Sequence, residues 1–101
     1  MKDGESVAGF ADYHGTHPAS PLPDATEIQW SPVQRRADRI RVRAHTCECL
    51  SLIFEQCTAG GLGFVRRYDR SIWPAGVLDS PWVKVRDAET LWLQILHGEA
   101  R

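Results

Sequence analysis

A chain of 101 residues supports one domain with a small core. Its 43% hydrophobic and 25% charged residues, with a formal net charge of −1, exclude a collagen-like or wholly disordered polymer. No run approaches the roughly 18 consecutive apolar residues of a membrane span, so no membrane partner is expected, and any basic character must be local.

Arginine outnumbers lysine ten to two and methionine occurs once, a bias that reads as a GC-rich genome. Met1 to Val7 carries Lys2, Asp3 and Glu5 and is followed by no apolar signal-peptide core, so a cytoplasmic location is expected. Three cysteines, an odd number, cannot form a complete internal disulfide framework.

From residue 1 to residue 26, Gly4, Gly9, Gly15, Pro18, Pro21 and Pro23 interrupt isolated apolar residues that keep no period. That pattern predicts a mostly irregular N-terminal arm, with Phe10 and Tyr13 available to dock on the body. The folded domain is expected over residues 27–101. Glu27-Ile28-Gln29-Trp30 alternates and Pro32 follows, which predicts a short edge strand.

Next, Arg39 to Ala44 alternates charged and apolar residues with the two-residue period of a strand. Ile40 and Val42 are expected to face the core, and Arg39, Arg41 and Arg43 to line the open face, with Arg35 and Arg36 just before them. Residues 47–58 fit two periods. At helical spacing Cys47, Leu50, Phe54 and Cys57 share a face; at period two, Leu50, Leu52 and Phe54 do. The strand reading is preferred, because Thr58-Ala59-Gly60-Gly61 is turn chemistry and Leu62 to Tyr68 is strand-like, giving a hairpin centred on Gly60 and Gly61. Asp69-Arg70-Ser71 reads as a turn, Ile72 to Gly76 as a loop, and Pro81 to Val85 as a last short strand. Behind Asp87, a good N-cap residue, Leu91, Trp92, Ile95 and Leu96 recur at helical spacing up to Gly98, predicting a helix over 87–97.

The result is a single α+β domain, with a small antiparallel sheet of three to five strands packed on one C-terminal helix. One sheet face goes under the helix and the other is left to solvent or a partner.

Candidate chemistry is sparse. The arginine row, extended by Arg66 and Arg67 on the hairpin at one of two registers, would neutralise phosphates or acidic side chains. The competing reading is a solvated face. A net charge of −1 speaks against a dedicated nucleic-acid binder, so an acidic protein and a nucleic acid are equally plausible partners. His45, Cys47, Cys49 and Cys57 are potential zinc ligands, but Cys-x-Cys is only half of the usual paired module, and small buried hydrophobes are the simpler reading. A reactive thiol would sit at Cys57, beside the turn. His14 and His17, a His-x-x-His pair with Asp12 nearby, read as solvated, since a flexible arm must be ordered before it can hold a metal. His97 suits the last helical turn. Gly60-Gly61-x-Gly63 lacks the context of a phosphate-binding loop. Of the tryptophans, Trp92 belongs to the core, Trp82 is expected under the helix start, and Trp73, in a loop, is the one most exposed and a candidate binding anchor.

Two resemblances are carried by particular residues. Cys47 to Arg67, with its core from Cys57 to Arg67, and Leu91 to Arg101 look like segments of short uncharacterised proteins of high-GC Gram-positive bacteria, which implies no activity. Ser71-Ile72-Trp73-Pro74, followed by Pro81-Trp82 and a helix, resembles the Ser-Leu-Trp-Pro and later Trp of MbtH-like proteins, which bind and activate adenylation domains of peptide synthetases. That resemblance implies a partner contact through Ser71, Trp73 and Trp82. The chain departs from it at Val65, Arg67 and Asp69, where the family has Asn, Glu and Gln.

The functional expectation is a small non-catalytic regulatory or accessory protein. It contacts an acidic macromolecule through Arg39, Arg41, Arg43, Arg66, Arg67 and Trp73, needs no cofactor and could form a homo-oligomer. The alternatives are an MbtH-like accessory protein and a zinc module built on His45, Cys47, Cys49 and Cys57.

Overall fold

The structure, a computed structural model, describes residues 14–33 and 39–101. The expectations for Phe10, Tyr13, Arg35 and Arg36 fall outside the described residues. Among the described residues, six strands and one helix follow in the order β1 (Ser31–Pro32), β2 (Arg41–His45), β3 (Leu52–Ala59), β4 (Leu62–Asp69), β5 (Gly76–Asp79), β6 (Val83–Lys84) and α1 (Val85–Leu96). These strands pair antiparallel, in the order β1-β5-β4-β3-β2, with β6 also on β4. The α+β architecture read from the sequence is the one observed. No helix among the described residues is long and apolar enough to cross a membrane.

The hairpin is the longest pairing, running from Leu52↔Asp69 to Ala59↔Leu62. Gly60 and Gly61 have φ of 57° and 80°, a conformation nearly closed to other residues and matched to the twist of a two-residue hairpin turn. The outer edge of β4 is served by two short strands in turn. β5 pairs with Arg66 to Asp69 and β6 with Leu62 and Gly63, while at Val65 the gap is filled by Ser80, whose hydroxyl accepts the Val65 N–H at 2.8 Å. The sequence did not announce β5, which is only four residues long.

Helix α1 buries Ala88, Trp92 and Ile95, a stripe at i, i+4 and i+7. It begins two residues before Asp87, which lies in the first turn, where a carboxylate favours the macrodipole, and the first turn has no side-chain cap. Gly98, with φ of 76°, ends it. Against this stripe lie Phe54, Val65 and Ala100, flanked by Ile28, Trp30, Ala44, Leu91 and Leu96. The other sheet face carries a smaller cluster of Cys57, Ala59 and Phe64. There Trp82 stacks on Phe64, with ring centroids 4.3 Å apart and planes 4° apart, instead of lying beneath the helix.

Residues 16–28 form an extended strap. The Ala19 N–H donates to the Leu96 carbonyl at 2.9 Å and the Leu22 N–H to the Gly98 carbonyl at 2.8 Å, satisfying carbonyls that a helix end leaves without intrahelical partners. Thr26 and Ile28 then exchange backbone bonds with Glu99 and Arg101 at 2.7 to 2.9 Å. Because Thr26 to Ile28 is engaged there, the edge pairing expected at Glu27 to Trp30 moves on to Ser31–Pro32.

The orientation of β2 differs from expectation. Arg41 pairs with Thr58, on the helix side of the sheet, and Val42 pairs with Cys57, on the other side. Val42 is 49% and Ile40 36% exposed, so neither is a core residue. The reason is width: a helix about 10 Å across covers roughly two strands spaced about 4.8 Å apart. Helix α1 rests on β4 with β3 and β6 beside it, leaving the Arg41–Arg43 part of β2 uncovered while Ala44 still reaches the core.

Gly63 marks where the helix comes closest. A Cβ there would stand 2.6 Å from the Ala88 Cβ and 3.3 Å from the Val85 Cα. Gly63→Ala is therefore expected to destabilise the fold by about 1–3 kcal/mol, read as a lower urea midpoint; an unchanged midpoint would contradict this seating of the helix.

Candidate functional site

The strap passes the β2–β3 connection before it reaches the helix. Thr16 bridges Thr46 in parallel, and the Cys47 N–H donates to the Thr16 carbonyl at 2.8 Å. Thr46 is fully buried. Its N–H donates to the Phe54 carbonyl and its hydroxyl accepts the Phe54 N–H, both at 2.9 Å, which fixes the start of the connection. From the far side, the Arg70 guanidinium donates to the carbonyls of Glu48 and of Leu50, the latter at 2.8 Å, and the Arg70 N–H donates to the Ser51 carbonyl at 2.8 Å. The turn carrying Cys49 is thus held from both ends.

These contacts bring His14, His17, Cys47 and Cys49 together, with their four ligand atoms all within 4.8 Å of one another. The Cys47 and Cys49 Sγ atoms are 3.2 Å apart, Cys47 Sγ lies 3.5 Å from His14 Nδ1, and Cys49 Sγ lies 3.3 Å from His17 Nε2. The imidazole rings meet edge to face at 5.6 Å. A tetrahedral zinc ion with bonds of about 2.0–2.3 Å sets its ligand atoms about 3.3–3.8 Å apart, so the observed contacts are close to those of such a site. Two imidazole nitrogens and two thiols are donors that zinc accepts, and the cluster could bind a metal ion.

The two thiols titrate in opposite directions. The Cys49 backbone N–H, opposed by burial and aided by bonds to Cys49, His14 and His17, lowers the Cys47 thiol to about 6. Its bond to Cys47, with burial and the Cys47 charge adding, raises Cys49. The pair gives up its first proton easily and holds the second.

Two of the sequence-derived ligand candidates, His45 and Cys57, do not join the cluster. His45 lines the adjacent cavity of about 250 Å³, and its Nδ1 lies 2.9 Å from the Thr46 carbonyl. Cys57 is fully buried opposite Val42, and burial, reinforced by the nearby Glu55, pushes its thiol up to about 12. It is a core residue and a poor nucleophile. His14 and His17, expected from the sequence to be solvated, instead lie against the two thiols, because the course of the strap brings their His-x-x-His segment to Cys47-x-Cys49.

Of the arginine row, Arg39, Arg41 and Arg43 stay together, lining an open groove of about 510 Å³ with Gln56, Thr58, Val85, Ala88 and Glu89. Arg66 and Arg67 do not extend it. Arg66, on the other face, makes a two-pronged ion pair with Asp79 at 2.7 and 3.1 Å, and the Arg67 guanidinium lies over the Trp30 ring at 5.0 Å. Tyr68 donates its hydroxyl to Glu55 at 3.0 Å. Trp73 is 94% exposed, Ser71 is tied to the Asp69 carboxylate, and Trp82 is the partner of Phe64.

No protein-family model matches the chain, and comparison with curated proteins and with solved structures finds no match.

The thiol environments predict selective alkylation. In metal-free protein at about pH 8, iodoacetamide is expected to label the Cys47–Cys49 pair and to spare Cys57 until the fold opens. Peptide mass mapping reads this out, and early labelling of Cys57 would contradict the described core.

Proposed function

We propose that the protein is a small zinc-binding module whose metal fastens the N-terminal strap to the β2–β3 connection. The observation carrying this reading is the convergence of two imidazole nitrogens and two thiols within 4.8 Å, from segments some thirty residues apart in sequence. Four protein ligands fill a tetrahedron and leave no position for a reacting water, which makes the role structural and the protein a binding or regulatory one rather than an enzyme. Arg70, which grips the turn around Cys49, and the Thr16–Thr46 bridge act as the outer support that ligands of this kind need.

Elemental analysis of protein purified without chelator is expected to give one zinc per chain, and Cys49→Ser or His17→Ala to abolish it. At free zinc about a hundredfold above Kd, binding adds about 2.7 kcal/mol, or about 10–20 °C in Tm for a domain of this size. A metal-free protein that gains no stability from added zinc would overturn the reading.

Both thiols must ionise to bind, and Cys49 resists doing so. Protons therefore compete with the metal: zinc affinity is expected to fall between about pH 8 and about pH 6, and binding to release protons into the buffer. Titrations in buffers of different ionisation enthalpy measure that release, and affinity that does not change with pH would exclude thiolate ligation.

A further inference from the structure

The groove beside β2 has no part in the metal centre. Arg66, Arg67 and Arg70 are each occupied, by Asp79, by the Trp30 ring and by backbone carbonyls. Arg39, Arg41 and Arg43 instead converge on one concavity, where they have no ion-pair or hydrogen-bond partner among the described residues. Side chains on one face of a strand recur about every 6.6 Å, close enough for their charges to act together on a single ligand. The strand also carries an irregularity between Val42 and Ala44, and the extra residue there is Arg43. A bulge re-aims the side chain it carries, and Arg43 shares the groove with Arg41.

We propose that this groove binds a compact phosphate ester carrying two or more phosphates, such as a nucleoside di- or triphosphate or a sugar bisphosphate. The guanidinium fork matches phosphate oxygens two at a time. The volume, about 510 Å³, is that of a small-molecule site. Gln56 and Thr58 on the floor offer further donors, and Val85 and Ala88 of the helix offer an apolar wall for an organic group. Two features disfavour a polynucleotide: no aromatic side chain lines the groove to stack a base, and Glu89 on its rim would repel a continuous polyanion. The same carboxylate can accept a hydrogen bond from a ligand hydroxyl. The net charge of −1 fits a local anion site better than a nucleic-acid surface.

Calorimetric titration of the full zinc-loaded chain tests this with three probes: inorganic pyrophosphate, adenosine triphosphate and a single-stranded oligonucleotide of about a dozen nucleotides. Saturable binding of the triphosphate is expected, weakened by added salt and reduced about tenfold or more by Arg41→Gln or Arg43→Gln, with Arg86→Gln, outside the groove, as the unaffected control. Triphosphate binding tighter than pyrophosphate would assign the helix wall to the organic group, and equal affinity would assign the site to the phosphate chain alone. Because such ligands chelate metals, the titration is repeated on Cys49→Ser, where binding is expected to persist. Failure of both phosphate probes to bind, full affinity in the Arg41→Gln, Arg43→Gln double variant, binding lost together with the metal, or tighter binding of the oligonucleotide would each overturn the proposal.

Discussion

One helix must cover a sheet wider than itself. Helix α1 sits on β4 and shelters Val65 and Phe54 beneath Trp92 and Ile95, and that central pairing of helix and hairpin is where the larger core cluster lies. The remaining surface is handled by other means. On the opposite face Trp82 lies flat on Phe64, closing a second, smaller cluster with Cys57 and Ala59. At one edge of the helix the strap and Trp30 fill in against Phe54, their rings 6.1 Å apart. At the other edge nothing described covers the first residues of β2, and arginines stand where a core would need apolar residues.

A domain of this size buries a modest fraction of its surface, and chains near its lower limit are commonly stapled by metal, disulfide or oligomerisation. The strap is fixed at its C-terminal end by backbone hydrogen bonds to the helix terminus and to residues 99–101. Toward its N-terminal end the described anchors are the Thr16–Thr46 bridge, the Cys47 N–H and the His/Cys cluster. An extended segment held by a few backbone bonds gains little from burial, since ordering each residue costs about 1–2 kcal/mol. A metal ion bound between strap and body would offset that cost where the strap meets the β2–β3 connection.

The sequence made some of this legible because some signals are local. The stripe of Trp92 and Ile95 and the Gly60-Gly61 turn are contained within a few residues, and helix and hairpin follow from them directly. The facing of β2 was not local. Alternation shows that Arg41 and Val42 oppose each other, but which side is covered depends on where a helix forty residues later comes to rest. The His/Cys cluster was hidden for a related reason. His-x-x-His and Cys-x-Cys are each half a ligand set, and the nearest candidates in sequence, His45 and Cys57, are taken up by the Thr46 carbonyl and by the core. The pairing across thirty residues is made by the strap, which has no periodicity to read.

Strand β2 joins the two candidate sites. Its first and third residues are the groove arginines Arg41 and Arg43, with Arg39 two residues before it; its last residue is His45, and the chain continues through Thr46 into Cys47. Among the described residues it is an edge strand, paired with β3, and that pairing is interrupted between Val42 and Ala44. Edge strands with a broken ladder open at less cost than central ones. A metal on Cys47 and Cys49 would restrain the strand immediately beyond the bulge, while an anion held by Arg41 and Arg43 would restrain it at and before the bulge. Each ligand would therefore order a segment that the other also needs ordered, which would favour the two binding together.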